Sequence, residues 1–430
     1  MNRLLPALLV ALAVSLASAE EISLPDAIRL ALKNNPDLAT AQQRVNAARA
    51  GIQQTESALW PQVRVGAGYT ASDNPVQAFM MTLNQRALNL ATANFNHPDT
   101  TDNYNGKVLA HWSLYDGGQT LATRQAAKLN TEAAGQSLAA ARNDLVFEVT
   151  RAFYTIGKAR QFVSTAEAAV TNMTATVNVA SNRFDAGQTL KTDLLDAQVR
   201  LAESEENLIR ARNAAALSEL VFRTVLGVTN AVTVSEIPSP RGGEGQGEGL
   251  PSRPELTAAH TAVAAADRQV RAAQAGYVPR LNAFASYDLD SGDASRFKDS
   301  WIAGVSVDLN VFDGFLTRSK INEARANLES ARQQERKLAL AITLETRQAQ
   351  LSFEEAQARL DTTGKSGAQA EESVTITKDR YANGLALLTQ LLDAETALTA
   401  ARQRRAAAET DVLIAQAALD RALGKTWKDK

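Results

Sequence analysis

Long stretches of the chain carry apolar residues at the spacing of a coiled coil. From Leu145 onward the apolar positions alternate steps of four and three: Val149, Ala152, Ile156, Ala159, Val163, Ala166, Val170, Met173, Val177, Ala180 and Phe184. Such a sustained heptad pattern predicts a helix packed along a partner of similar length. Beginning just after Gly118, this helix would run for about 65 residues, or roughly 100 Å.

A second apolar seam follows Gly187 and supplies that partner. Its positions are Leu194, Ala197, Leu201, Leu208, Ala211, Ala215, Phe222 and Val225. Glycine permits the left-handed conformation that ends a helix, so the short turn predicts an antiparallel pair. The many alanines allow close helix approach but bury little area each, so an isolated hairpin would be weak. An ordinary solvent-bridging coiled coil is equally compatible with the seam.

Two further helices begin at capping boxes, in which a serine precedes an acidic residue by three positions: Ser23 with Asp26, and Ser252 with Glu255. A proline stands in the first turn of each, where a missing N–H is harmless. We expect the two helices to end near Trp60-Pro61 and Val278-Pro279.

After each of those prolines the pattern switches to a period of two, which predicts strands. Each of four runs has one apolar face: Val63, Val65, Ala67 and Tyr69; Tyr104, Val108, Ala110, Trp112 and Leu114; Leu281, Ala283, Ala285 and Tyr287; Trp301, Ala303, Val305, Val307, Leu309 and Val311. Runs of about ten residues suit tilted transmembrane strands. Trp112 and Trp301 fit an aromatic girdle at the membrane interfaces. A half-buried sheet in a soluble protein alternates in the same way.

Four strands cannot close a barrel, since the smallest have about eight. An open edge cannot face hydrocarbon, because its N–H and C=O groups find no partner there. If the strands are in a membrane, several chains must therefore share one barrel. Lys107 and His111 would then face its lumen, and a ligand role for His111 is the less favoured alternative.

The chain is duplicated. Asp116 and Asp313, each in an Asp-Gly pair after a strand, are 197 residues apart. The same offset relates "RFDAGQTLKTDLLDAQ" (183–198) to "RYANGLALLTQLLDAE" (380–395). Pro61 and Pro279 differ by 218, so the first copy carries an insertion within about residues 72–103. Its Asn, Asp and Thr content predicts an exposed loop.

These patterns divide the chain into four parts. Residues 1–19 fit a secretory signal peptide with "ASA" before the cleavage site, and their apolar run is short for the alternative, a membrane anchor. Residues 20–234 form the first repeat, with a β-hairpin at 62–115 and a helical tip near 183–193. Residues 235–252 form a Pro/Gly/Glu linker. Residues 253–430 form the second repeat, with a hairpin at 280–312 and a tip near 380–390.

Composition narrows the function. A net charge of −2 gives no electrostatic case for nucleic acid. The chain has no cysteine, and its three histidines lack metal-ligand spacing. The glycines of the linker do not sit between a strand and a helix, so they do not indicate a phosphate loop. No nucleophile–base pair supports a periplasmic enzyme, and no cofactor or metal is predicted.

Taken together, the capped opening helix "SLPDAIRLALKNNPDLATAQQRV", the junctions "LYDGGQ" and "VFDGFL" and the paired helical tips resemble the TolC-like outer-membrane efflux proteins of Gram-negative bacteria. The resemblance implies a mainly α fold with a membrane β-barrel portion, built from a duplicated unit of long antiparallel coiled-coil helices plus a β-hairpin. It also implies a homotrimer with a shared twelve-stranded barrel in outer-membrane lipid and an α-helical tunnel in the periplasm. Such a channel is a passive exit duct, which docks a periplasmic adaptor (membrane fusion) protein and, through it, an inner-membrane transporter.

The resemblance also suggests roles for residues at the helical tips and junctions. Asp393 is at a place where family members carry an acidic ring at the periplasmic entrance, whereas Gln390 occupies a position that is often acidic. Tyr381 and Asp193 are at positions where a hydrogen bond closes the entrance. The expected adaptor-docking residues are Gly187, Gly384, Arg183 and Arg380, and the strand-to-helix junctions are Asp116, Gly117, Asp313 and Gly314.

Plainer roles remain open for some of these residues. Asp393 would serve equally as a solvated or capping residue, and the two glycines as ordinary helix ends. The arginine that some members carry just after the second turn glycine is absent, so the apolar run from Leu385 to Leu388 is expected to form a constriction. The main alternative for the whole chain is a soluble periplasmic coiled-coil scaffold or adaptor without a pore.

Overall fold

The computed structural model describes residues 21–229, 233–234 and 253–425. The predicted signal peptide, the 235–252 linker and the Ser252 cap lie outside these residues. The chain forms two compact units. One comes from the described parts of residues 1–41, 139–253 and 340–430, and the other from residues 42–138 and 254–339.

Helices dominate both repeats. In chain order the elements are β1 (Glu21–Ile22), α1 (Leu24–Asn34), α2 (Pro36–Glu56), β2 (Gln62–Ser72), α3 (Pro75–Asn84), β3 (Thr101–Tyr115), α4 (Gln119–Asp185), α5 (Lys191–Leu226), β4 (Thr233–Val234), α6 (Pro254–Gln274), β5 (Arg280–Ser291), β6 (Lys298–Asp308), α7 (Leu316–Ala382) and α8 (Leu388–Ala422). Short 3-10 turns at Ser57–Leu59 and Ala275–Tyr277 precede β2 and β5.

The long helices have the lengths expected from the heptad seams. α4 and α7 each have 67 residues, and their first residues are 197 positions apart. The seam residues of α4 from Val149 to Ala180 are all buried or half-buried, whereas Phe184, at the end of the seam, is 37% exposed. None of the described helices is both long and apolar enough to cross a membrane.

The opening helix is interrupted, and the prediction of one continuous helix up to Pro61 was wrong. Ser23 caps α1, accepting a hydrogen bond from the Asp26 backbone N–H at 3.4 Å. At Asn35 the backbone becomes extended, because a residue before proline is disfavoured in the helical region. The Asn35 Oδ1 then accepts from the N–H groups of Asp37 (2.9 Å) and Leu38 (3.2 Å) and starts α2.

α1 packs on α4 and α5 in the first unit. Its Ala27, Ile28 and Ala31 join the buried Phe153 and Phe222, whose ring centroids are 6.2 Å apart. The Asn35 side-chain amide donates to the Val225 carbonyl at 2.9 Å and ties the end of α1 to the end of α5.

The four long strands form one antiparallel sheet in the order β2-β3-β5-β6, in the second unit. The register places Val65 opposite Val108, Val108 opposite Tyr287, and Tyr287 opposite Trp301. Because side chains alternate along a strand, the predicted apolar residues lie on one face of the sheet as far as Trp112 in β3 and Val307 in β6.

The last strand is shorter than predicted. β6 ends at Asp308, which pairs with Arg280, the first residue of β5. Leu309 and Val311 therefore lie beyond the strand, because β5 offers no residue for them to pair with.

The insertion of the first copy contains a helix, so the prediction of a loop alone was wrong. Asn74 caps α3, and its Oδ1 accepts from the N–H groups of Val76 (3.1 Å) and Gln77 (3.3 Å). Pro75 occupies the first helical position, where proline is favoured. The Asn-Pro pair was a helix-start signal inside a segment whose composition resembled a loop.

Candidate functional site: the sheet face, the junctions and the hairpin ends

One face of the sheet exposes a continuous set of apolar side chains. In the single chain Val65 is 76% exposed, Trp301 75% and Val307 68%. Val63, Val305, Tyr287 and Trp112 on the same face are also exposed. An apolar surface of this kind marks a binding or membrane-facing surface rather than a water-facing one.

Aromatic side chains stand near both ends of this face. Tyr69 and Tyr104 are in ring contact, with centroids 5.0 Å apart, and Trp301 pairs with Tyr287 toward that same end. Trp112 lies toward the other end and donates its indole N–H to the Leu59 carbonyl at 2.9 Å. This placement is the one that an interfacial girdle requires, and the girdle role itself stays a prediction.

The opposite face is polar and internally paired. Lys107 Nζ lies 3.5 Å from Asp288 Oδ1, across neighbouring strands. The amides of Asn103 (2.7 Å) and Asn105 (2.9 Å) both donate to the buried Asp290. His111 is exposed on this face, and within the described residues no group of three His, Cys, Asp or Glu is placed to hold a metal ion.

The sheet is open at both edges. Among the strands that the structure describes, β2 and β6 each pair on one side only, with β3 and β5 respectively. Each edge therefore presents a row of backbone N–H and C=O groups without strand partners, which is a template for pairing with another strand.

At each strand-to-helix junction the predicted aspartate caps the long helix that follows. Asp116 accepts from the Thr120 N–H at 2.8 Å and from the Gly118 N–H at 3.1 Å. Asp313 accepts from the Thr317 N–H at 2.8 Å. Hydrogen bonds from the Thr317 side chain and then its backbone N–H lower the pKa of the Asp313 carboxyl. Each carboxylate also lies at the N-terminus of a helix, where the positive end of the helix dipole stabilises its negative charge.

The two junctions share a backbone shape but differ in crowding. Gly117 (φ +73°) and Gly314 (φ +63°) both adopt the left-handed conformation. A Cβ on Gly117 would lie 2.7 Å from the Val278 Cβ, whereas Gly314 has open space around it. The next residue is Gly118 in the first copy and Phe315 in the second, and Phe315 holds φ at +68°, a strained value for a bulky residue.

The two hairpin ends pack against each other in the first unit. A buried cluster joins Met173, Ala180 and Ala197 of α4 and α5 to Tyr381, Leu388, Leu391 and Leu392 of α7 and α8. Both turns contain a left-handed glycine, Gly187 (φ +69°) and Gly384 (φ +71°). The N–H after each glycine bonds back to the carbonyl of Arg183 or Arg380, at 2.8 Å in both cases.

Arg183 joins the two turns. Its guanidinium donates to the Tyr381 carbonyl (2.8 Å) and the Ala382 carbonyl (2.9 Å), at the end of α7. It also stacks over the Tyr381 ring, 4.4 Å from the centroid. A basic residue in the last turn of α4 was the sequence signal for such a carbonyl contact.

The predicted hydrogen bond between Tyr381 and Asp193 is not formed. The Tyr381 hydroxyl is buried and has no hydrogen-bond partner in the structure. Asp193 instead accepts from the Thr189 hydroxyl at 2.7 Å, within its own turn. The Tyr381 ring is held in the cluster by Arg183, which takes the cross-turn role expected of Asp193.

The other entrance candidates lie near the start of α8. Asp393 is exposed and lines a groove of about 330 Å³ with Asp196 and Arg200 of α5. Gln390 is exposed and its Oε1 accepts from the Leu387 N–H at 3.2 Å, capping the helix. Arg380 is exposed at the end of α7.

An exposed apolar sheet face with open edges, joined to long coiled-coil helices, defines a class of membrane channel with a helical extension. The family of outer membrane efflux proteins matches residues 27–228 and 247–425 of the chain. The chain belongs to this family, as its motifs predicted. It is accordingly an outer-membrane protein of a Gram-negative bacterium and not an enzyme.

Individual relatives are distant. Protein CyaE of Bordetella pertussis is 28% identical over 329 residues, which span 72% of this chain but only 64% of CyaE. Outer membrane protein TolC of Escherichia coli is 24% identical over 458 aligned residues, covering 99% of this chain and 87% of TolC. The structure of the outer-membrane channel OprN superposes with a TM-score of 0.82 at 22% identity, covering 94% of this chain and 90% of OprN, and shows the shared fold.

The crowding difference between the junctions predicts unequal effects of the same substitution. Gly314→Ala should cost about 1 kcal/mol of folding free energy, for the left-handed backbone alone. Gly117→Ala should cost about 3 kcal/mol, because its Cβ also overpacks against Val278. Denaturant unfolding of the two variants in detergent measures the difference, and equal losses would contradict the proposed close contact.

The contacts of Arg183 predict that it stabilises the paired turns. Arg183→Gln removes two charge-assisted hydrogen bonds and the ring contact, and should lower the local opening free energy at the end of α7 by about 2 kcal/mol. Amide hydrogen exchange of the last turn of α7 measures this. Arg380→Gln is the matched control, with an expected effect below about 0.5 kcal/mol for an exposed residue. A similar effect of both variants would exclude a special role for Arg183.

Proposed function

We propose that the chain is the outer-membrane channel of a tripartite efflux or type I secretion system, acting as a passive exit duct. The observation that carries this proposal is the exposed apolar face of a sheet whose two outer edges are open. Family membership supports the same function. In a soluble periplasmic scaffold or adaptor that apolar face would be exposed to water, which is unfavourable.

The open edges require several copies of the chain, and membership of the family implies that the number is three. In hydrocarbon every edge N–H and C=O needs a partner, so β6 of one copy must pair with β2 of the next. Three copies of four strands make a closed twelve-stranded barrel, with the apolar face toward lipid and the face of Lys107 and His111 toward the lumen. The long helices of the three copies then form a tunnel through the periplasm.

The domain plan belongs to this proposal. Residues 1–19 direct export and are removed, residues 20–234 and 253–430 are the two repeats, and residues 235–252 link them. The insertion with α3 lies on the extracellular side, because it joins β2 to β3 at the end opposite the one that leads into the periplasmic helices.

The hairpin ends are the proposed periplasmic entrance and docking surface. Gly187, Gly384, Arg183 and Arg380 shape the turns that a periplasmic adaptor (membrane fusion) protein would contact, and the adaptor connects the channel to an inner-membrane transporter. Leu385 and Leu387 are 70% and 68% exposed in the single chain, which suits an apolar constriction. Three copies of Asp393 would form an acidic ring there.

The proposal predicts that the purified full-length protein forms pores. Added to planar bilayers, it should produce discrete conductance steps. Because the duct is passive, these should require no nucleotide. A protein that folds with its full helix content, yet gives no conductance steps at any applied voltage, would contradict a channel.

The acidic ring predicts opposite effects of two substitutions at the start of α8. Asp393→Asn should reduce the preference for cations over anions, because it removes three charges from the trimer. Gln390→Glu should raise that preference, since it adds three, and a glutamate has the length that the hydrogen bond from the Leu387 N–H requires. Reversal potentials in a salt gradient measure both variants. Unchanged selectivity in both would show that Asp393 is only a solvated helix residue.

A further inference from the structure

A carboxyl group is buried between the two hairpin ends. Glu395 of α8 is only 7% exposed, and its Oε1 accepts from the Thr176 hydroxyl of α4 at 3.1 Å. Its Oε2 is buried and has no hydrogen-bond partner in the structure. A buried carboxylate with one oxygen unsatisfied is costly, whereas the neutral acid is cheaper to bury.

Glu395 occupies a position that belongs to an apolar seam. It follows the buried Leu391 and Leu392 by one turn and precedes the buried Leu398 by three residues. In the first copy the residue at the same repeat position is Gln198, which is exposed. The ionisable residue thus stands in the copy where it is buried, and the neutral amide stands where water is available. If only the cost of burial decided between the two copies, the neutral amide would be the buried residue and the acid the exposed one.

The surroundings of Glu395 favour its protonated form. Burial raises the pKa of its carboxyl, and the hydrogen bond from Thr176 and the charge of Lys378 on α7 only partly offset this. On α5, Arg200 and Glu203 line a groove of about 430 Å³ that Glu395 also borders, and they carry opposite charges. From α4, Asn172 and Thr176 bring polar groups to this region.

We propose that Glu395 is a proton-binding site that couples pH to the packing of the two hairpin ends. The protonated side chain stays buried and holds α8 against α4. Loss of the proton places a charge in the seam, and that charge is best solvated when α8 moves away from α4. Proton binding therefore stabilises the closely packed ends, and rising pH loosens them.

The direction of the pH dependence follows from the raised pKa. A raised folded-state pKa gives stability that is fully present below the unfolded value, near 4.5, and that is lost as pH rises through the folded value. The local equilibrium for separating the helices should therefore increase with pH within this window. The effect of pH on helix packing does not depend on the protein being a channel. An effect on conduction would follow only if the hairpin ends form the entrance, and that step rests on the proposed function.

Hydrogen exchange of the segment from Leu388 to Leu398 in the purified full-length protein tests the proposal. Wild type is compared with Glu395→Gln at each pH from about 4 to 8, so that the intrinsic pH dependence of exchange cancels. The ratio of wild-type to variant exchange should be near one at the acid end. It should then rise by up to about tenfold per pH unit above 4.5 and level off beyond the folded-state pKa.

Two further variants separate proton binding from simple packing. Thr176→Val keeps the shape but removes the donor that lowers the folded-state pKa, so exchange should still begin to rise near pH 4.5 but should level off at a higher pH than in wild type. Gln198→Glu places an acid at the exposed position of the first copy and should behave as wild type. A ratio of wild-type to Glu395→Gln exchange that does not change with pH would overturn the proposal. If Glu395→Gln does not fold, the proposal is overturned when exchange of Thr176→Val has the same pH dependence as exchange of wild type. Exchange is measured without a bilayer, so a negative result for Glu395 is distinguishable from a failure of the protein to conduct.

Discussion

The unpaired edges of the four-stranded sheet are the constraint on which the rest of the structure depends. A strand in hydrocarbon cannot leave its backbone groups without partners, and the apolar face beside these edges is unsuited to water. Either fact alone has several solutions. Together they favour further strands beyond β2 and β6, which in the proposed channel come from neighbouring copies in the outer membrane. At each Asp-Gly junction the chain passes from a strand to a helix whose first turn is capped by the aspartate.

The length of the helices compensates for the small area that each of their contacts buries. Alanine-rich seams let α4 and α5 pack closely, but each alanine buries little area, so stability has to accumulate along many turns. At the hairpin ends this weak packing is supplemented by specific contacts. Arg183 ties the end of α7 to the end of α4, and Leu391 and Leu392 enlarge the buried cluster. Glu395 lies next to that cluster, where a single ionisation acts on contacts that are individually small.

Periodicity explains why so much of the fold could be predicted from the sequence. A period of two predicted the apolar sheet face, and a period of 3.5 predicted the long helices, because each period follows from the way side chains are arranged along a strand or a helix. The break at Asn35 was missed because the helical pattern continues across it, although Pro36 forces the turn. α3 was missed because the Asn, Asp and Thr content of the insertion as a whole outweighed the Asn74-Pro75 start signal. At the hairpin ends, the partner of Tyr381 depends on which side chain reaches across from the other turn, which spacing does not encode. Burial of Glu395 was equally invisible, since an acid in a heptad normally indicates a solvated position.

The stoichiometry of the assembled sheet tests the central claim most directly. The chain has no cysteine, so pairs of single cysteines, one along β2 and one along β6, can report contacts between copies without background. Oxidation in native outer membranes, followed by denaturing gels and mass measurement, should give a ladder that ends at three chains, with β2 of one copy linked to β6 of another. A ladder that continues beyond three chains, or a chain that stays monomeric for every pair along both edges, would contradict the account.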